Sequence, residues 1–411
     1  MKSIIIVLAI LFLCTFSLEG QELNMLYMAQ AGYQPSDILQ QARSFQEKTG
    51  IAVHLSFVEY EDQYNLIIES SKKKTADYDI ILVDLIWTAD FAEKAIIDPI
   101  PSYLTDEVTE GIIPEIYTAF TYDDRIWAVP FLANFQLFYT NMELLHRAGF
   151  IRPPATLEEL VDMASTAKKT GVIEYPLFDS LRKQEALVCE FVWLVGAFGG
   201  DLVDQEGKIN LTAPACRKAL EFLVDLLDQD LLNPYSLHSE EVFAAEVFIW
   251  GDCLFTTNWT FLTGLIRESE LPIRRSGKAS LIPSARAVAS KGETTSTISG
   301  FQGLSVAQNS LHKENAWRFI AYLSSPEFQR KHLAEMSVWQ QVWTEENTLK
   351  QDPNIELKKQ QILRVHHRPI HPRYREVSAR LQHWIYEALS GNVHSQEALE
   401  NAQRDIDNLL R

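Results

Sequence analysis

The chain has 411 residues, 46% of them apolar and 22% charged, which is enough to build two or more hydrophobic cores. Its formal net charge of -18 and pI near 5.0 argue against nucleic acid or an anionic membrane surface as partners, since phosphate contacts draw on Lys and Arg that are in deficit here.

The first residues read as an export leader. Lys2 supplies a short positive region, Ile4 to Leu13 is an apolar stretch too short to span a bilayer, and Ser17-Leu18-Glu19-Gly20 offers small residues for cleavage. The mature chain is expected to start near Gln21, placing the protein in the periplasm or outside the cell. Leu11-Phe12-Leu13-Cys14 is a poor lipid-attachment box because Leu13 is bulky, and a lipid anchor on Cys14 stays an open alternative. No later run is apolar for long enough to cross a membrane. Without the leader, Cys189, Cys216 and Cys253 remain, an odd number without metal-type spacing, and buried free thiols are expected.

Residues 23 to 150 alternate short apolar runs with helical patterns, the mark of a parallel α/β sheet. Leu23 to Met28 is a first strand. Ser36 is read as the cap of a helix with Ile38, Leu39, Ala42 and Phe45 on one face, closed by Gly50. Val53, Leu55 and Phe57 alternate as a second strand, and a helix through Tyr64, Ile67 and Ile68 leads to the run Asp79 to Asp84. Its four consecutive apolar residues suit a strand covered on both faces. Asp84 ends that strand, where ligands gather in open α/β sheets; it could equally cap the segment beginning near Trp87. Trp87 could line a pocket, whereas Phe91 reads as core.

Residues 123 to 149 place a turn at Asp123-Asp124, extended runs at Ile126 to Phe131 and Phe135 to Tyr139, and a helix start in succession. A strand passing from one core to another has this form, and Asn134 in its middle would face the cleft between them. A second lobe then opens with Thr156 and Glu159 as a capping box. Residues 186 to 198 are apolar nearly all round and read as a buried helix or core segment rather than a ligand face. Thr212 and Pro214 open an amphipathic helix, and Glu240 to Ile249 continue in helical pattern to Gly251. Cys253 to Phe255 is read as a strand that delivers Thr257, Asn258 and Trp259 to its end, an aromatic face beside an amide.

Residues 270 to 297 are polar, basic and loop-like. Ser299 to Gly303 feeds a strand through Ala307, a second crossing in which Phe301 stands, with glycines allowing close approach. Helices are expected at Ala316 to Leu323, from Ser325 through Met336, and over most of 345 to 411. The exception is Arg368 to Tyr374, whose prolines forbid helix and are expected to expose both end residues.

In order and spacing, Asp79 to Phe91, Ile126 to Gly149, Pro153 to Glu159, Gly251 to Trp259, Gly300 to Ala307, Ala316 to Glu327 and Arg368 to Leu389 resemble the extracellular sugar-binding proteins of bacterial ABC importers, most closely the trehalose/maltose branch. The resemblance implies an α/β fold of two lobes joined by hinge strands, of the type II periplasmic-binding-protein kind, with a ligand cleft between. It divides the chain into residues 21–133 with 302–345, and 134–301 with 346–411. It implies that Asp84 accepts hydrogen bonds from sugar hydroxyls, that Trp259 stacks on a pyranose face, and that Arg368 donates, with Trp87, Asn134, Phe301 and Tyr374 completing the ligand set. It further implies a monomer that delivers a di- or oligosaccharide to a membrane permease, without catalysis, metal or cofactor. Three positions depart from the branch, which usually has an acid at Asn134, Arg at Thr257 and Trp at Phe301. A glycoside hydrolase would need two carboxylates about 5 to 9.5 Å apart, and no motif enforces such a pair. The spacing of His366, His367 and His371 matches no zinc motif. Binding of a peptide or polyamine is disfavoured only by the resemblance.

Overall fold

The computed structural model describes residues 22–28, 32–204, 206–333 and 335–411. The leader and Cys14 lie outside the described residues. Strands β1 (Glu22–Met28), β2 (Ala52–Val58), β3 (Ile80–Asp84), β4 (Thr121–Tyr122), β5 (Arg125–Ile126), β6 (Val129–Leu132) and β7 (Gln136–Asn141) fall in the first part of the chain. β8 (Phe255–Trp259), β9 (Gly277–Ser280), β10 (Thr297–Ile298), β11 (Gln302–Val306) and β12 (Val365–His366) follow.

Two sheets organise the molecule. The first has the order β2-β1-β3-β11-β6, with β1 parallel to β2 and β3, and β11 antiparallel to β3 and β6. All five residues of β3 are buried, as expected of a strand with helices on both faces. The second has the order β8-β7-β9, all antiparallel. One apolar core surrounds the first sheet, and the other gathers the second sheet with helices Glu185–Ala197, Pro214–Asp228, Tyr374–Leu389 and Ser395–Leu410. The two cores abut, since the first also takes in Tyr139, Phe248 and Leu262.

Local chemistry explains several element ends. Pro35 opens helix Pro35–Thr49, and Gly50 closes it at φ 77° with its N–H on the Gln46 carbonyl. Asp123 and Asp124 both take positive φ, 50° and 55°, in the two-residue loop of the β4-β5 hairpin. Helix Glu185–Ala197 is buried from Ala186 onward, as its all-round apolar sequence requires. Cys189, Cys216 and Cys253 are free and buried.

The structure corrects several expectations. The cap of the first helix is Gln34, and Ser36 sits inside its first turn, because Pro35 already fixes the N1 position. Thr156 does cap its helix through the Glu159 N–H, while Glu159 reaches the Ala155 N–H and Arg152. Ala213, not Thr212, precedes helix Pro214–Asp228. Trp259 is the last residue of β8 rather than a residue beyond it, because the strand begins two residues later than read. The basic stretch 270–297 contains helices Ile273–Ser276 and Arg286–Ala289 besides β9. The helix opened by Ser325 ends at Gln329, whose amide turns inward to the Phe131 carbonyl. Arg368 and Tyr374 are 3% and 1% exposed, not surface residues; the prolines do break the helix, but ionic partners draw both side chains inward.

Candidate functional site

Two antiparallel crossings carry the chain between the sheets. At the first sheet Gln302 pairs with Asp84 and with Leu132. Further along, the Gly300 N–H donates to the Asn134 carbonyl at 3.0 Å and Phe135 bridges Ser299. Gln136 then pairs with Trp259 in the second sheet. Backbone register alone therefore sets Asp84, Asn134, Phe301 and Trp259 along one short stretch.

Close packing draws them together. A Cβ on Gly300 would lie 2.7 Å from Trp259 Cζ3 and 3.1 Å from Asn134 Nδ2, so the indole and the amide both rest against this glycine. Asn134 Oδ1 is buried without a hydrogen-bond partner among the described residues. Trp259 is held by its Nε1, 3.5 Å from Glu241 Oε1, and by its carbonyl, which accepts from the Tyr139 hydroxyl at 3.0 Å. The Phe301 carbonyl accepts from the Leu85 N–H at 3.1 Å, and its buried ring meets His367 edge-on at 5.9 Å.

The ionic part of the site is built on Arg368. β12 pairs with β10 and delivers it beside Ser299, whose carbonyl accepts from Nη2 at 3.2 Å. Nη1 donates to Glu185 Oε1 at 2.9 Å, and Nη2 lies 3.7 Å from Asp84 Oδ1. Its Nε is buried and unpartnered among the described residues. Glu185 also accepts from the Tyr374 hydroxyl and from Ser378 Oγ, each at 2.5 Å. Asp84 serves a structural role as well, capping the turn Leu85–Trp87 through the Ile86 N–H at 3.1 Å. Burial pushes its carboxyl up, against the downward pull of Arg368 and that N–H. Burial, together with His366 and Arg368, pushes His367 down to about 4, so it is neutral at pH 7. Trp87 lies in an aromatic cluster, stacked on Tyr60 at 5.5 Å with Tyr64 and Phe91 adjoining.

Six of the seven residues singled out in the sequence thus meet around the crossings, through direct contacts or shared neighbours; Trp87 stands apart in its aromatic cluster and is joined to them through Tyr60. Two members escaped sequence reading. Glu185 opens the buried helix Glu185–Ala197, and a carboxylate at the head of an otherwise apolar helix was the available signal. Tyr60 follows the carboxyl end of β2 and hydrogen-bonds Asp84, so the strand-end rule applied to Asp84 would have found it. Chemically the site offers carboxylate and amide acceptors, guanidinium and phenol donors, and aromatic faces. Among the described residues no group of three His, Cys, Asp or Glu could hold a metal ion, and no helix is long and apolar enough to cross a membrane.

Residues 28–330 match the family model for bacterial extracellular solute-binding proteins. The chain belongs to that family. The fold is the family's two-lobed one, as solved structures show. The maltose-bound MalE3 protein of T. maritima superposes with a TM-score of 0.84 at 23% identity, over 94% of this chain and 99% of that one. A Thermotoga lettingae solute-binding protein bound with α-D-tagatose gives 0.83 at 22%, over 95% and 100%. A ribitol complex from Agrobacterium radiobacter gives 0.79 at 20%, over 95% and 99%. By sequence, a Deinococcus radiodurans protein named "Probable ABC transporter-binding protein" is 24% identical over 303 residues, 72% of this chain and 70% of that protein. A Brucella abortus protein named as a binding protein is 25% identical over 255 residues; the match takes in 62% of this chain and spans only 60% of that relative's length.

Proposed function

We propose that this member of the solute-binding family is the extracytoplasmic binding component of an ABC importer, gripping a sugar or polyol at the two crossings and presenting it, as a monomer, to a membrane permease. The observation that carries this reading is the pair of unspent polar groups beside a flat indole. Asn134 Oδ1 can accept and Arg368 Nε can donate; both are buried, and both flank Ser299 to Phe301 with the Trp259 ring against Gly300. Leaving such a group unpaired costs about 1–3 kcal/mol, which a polyhydroxylated ligand would recover. Asp84 and Glu185 add acceptors for hydroxyls, and the names of the maltose, tagatose and ribitol complexes point to the same ligand class. Lobe closure belongs to this reading, because Asp84 lies on the first sheet and Trp259 on the second, so an approach of the two lets the ligand be met from both sides. No hydrolysis is expected of a site whose carboxylates are engaged in capping and ion pairing.

The test is a thermal-shift screen against mono- and disaccharides, polyols, amino acids and short peptides. A ligand at a hundred times its Kd raises stability by about 2.7 kcal/mol. A sugar or polyol should do so and be recovered intact. Stabilisation by amino acids or peptides alone, or turnover of a disaccharide, would overturn the reading.

A further inference from the structure

Within the basic run at residues 270–297, Arg274 and Lys278 have no part in the site above. In the structure, helix Ile273–Ser276 and β9 carry Arg274 and Lys278 to the wall of a cavity of about 330 Å³. Arg267 from helix Phe261–Glu268 and Lys358 from helix Ile355–Ile362 complete its charged lining. Among the described residues Asp352 is the single carboxylate there, and it is already spent: its Oδ2 lies 2.8 Å from Lys358 Nζ, with both side chains buried. Arg267 pairs with Glu268 at 3.7 Å and donates to the Gln351 carbonyl at 3.4 Å, whereas among the described residues Arg274 and Lys278 make no ion pair. The chain carries 55 acidic against 37 basic residues, so its composition could supply these cations with carboxylates; the fold instead sets Arg274 and Lys278 on the lining of one hollow without an acidic partner among the described residues.

We infer that this cavity is a binding site for a free phosphate-type oxyanion. Like charges gathered around a concave surface focus a positive potential, and Arg matches the spacing of oxyanion oxygens with paired N–H donors. The Lys358–Asp352 pair gives the site a fixed wall, while Thr263 and Asn354 line it with neutral hydrogen-bonding groups. Its volume falls at the lower end of the roughly 300–1,000 Å³ typical of small-molecule sites, which leaves room for a small organic group on the oxyanion. A bilayer headgroup is disfavoured as the source, since a chain of net charge -18 is repelled by an anionic surface. None of the cavity's lining residues belongs to the crossings, so this inference and the sugar-binding reading fail independently.

The test titrates the purified protein with sodium phosphate at pH 7.5, against sodium chloride of equal ionic strength, following thermal unfolding and heat of binding. A saturable rise in Tm specific to phosphate is expected. The double variant Arg274→Gln with Lys278→Gln should weaken phosphate binding at least tenfold, while Lys74→Gln, an exposed cation outside the cavity lining, should leave it unchanged. Equal Tm values in phosphate and chloride, or phosphate binding that survives the double substitution, would overturn the assignment.

Discussion

Gly300→Ala probes the contact on which the site's geometry turns. The added methyl would stand 2.7 and 2.9 Å from Trp259 Cζ3 and Cη2, where carbon atoms ordinarily rest about 3.5–4.0 Å apart, so the shortfall is roughly 1 Å. The glycine cannot retreat easily, because its N–H is bonded to the Asn134 carbonyl and its neighbours Ser299 and Phe301 are tied to Arg368 and Leu85. The indole, only 9% exposed and anchored at the end of β8, must therefore move. Overpacking of this kind costs about 1–3 kcal/mol, to be read from urea unfolding curves, and a displaced indole should weaken ligand binding at least tenfold. Trp259→Phe removes the six-membered ring edge that makes the contact. Adding Gly300→Ala in that background should then cost at least about 1 kcal/mol less than in the wild type. Equal costs in the two backgrounds would show that ring and methyl never compete for the space, and the packing argument would fall.

Asp84→Asn should keep the cap on the Ile86 N–H, since an amide oxygen can accept that bond, and should change unfolding free energy by less than about 1 kcal/mol. Sugar affinity measured calorimetrically should nonetheless drop by about 1.5–3 kcal/mol, the scale of a charge-assisted hydrogen bond; an unchanged Kd would remove Asp84 from the ligand set. Glu185→Ala strands a buried guanidinium and two hydroxyls, with Asp84 at 3.7 Å the nearest remaining carboxylate, so a loss of about 3–5 kcal/mol is expected in urea denaturation. A loss below 1 kcal/mol would mean that Arg368 finds another partner. Asp179 accepts from the Thr257 N–H and Thr256 Oγ1 beneath β8, yet burial pushes its carboxyl up to about 7. A raised carboxyl pKa in the folded state adds stability below about pH 4 that is lost as pH climbs toward 7. Unfolding free energy should thus fall over that window, and Asp179→Asn should flatten the fall; parallel profiles for the two proteins would contradict the assignment.

Local chemistry, written in the sequence, determined many of the elements and which residues were candidates for the site. The four apolar residues before Asp84 suit a doubly covered strand, Asp123-Asp124 a turn, and the run after Glu185 a buried helix or core segment, and the structure has the strand, the turn and the helix. Asp84, Asn134 and Trp259 could be picked out because each is a polar or aromatic residue at a strand end or crossing, a property of neighbours in the chain. What the tertiary structure decided was pairing. Arg368 and Glu185 are 183 positions apart, and nothing near either residue records the other. Prolines around Arg368 do break the helix as their ring geometry demands, but whether the freed side chain meets water or a carboxylate depends on which distant segment arrives beside it. That arrival is governed by how β10 and β12 pair and how two cores abut, and the energy of a buried ion pair then holds Arg368 and Tyr374 inside.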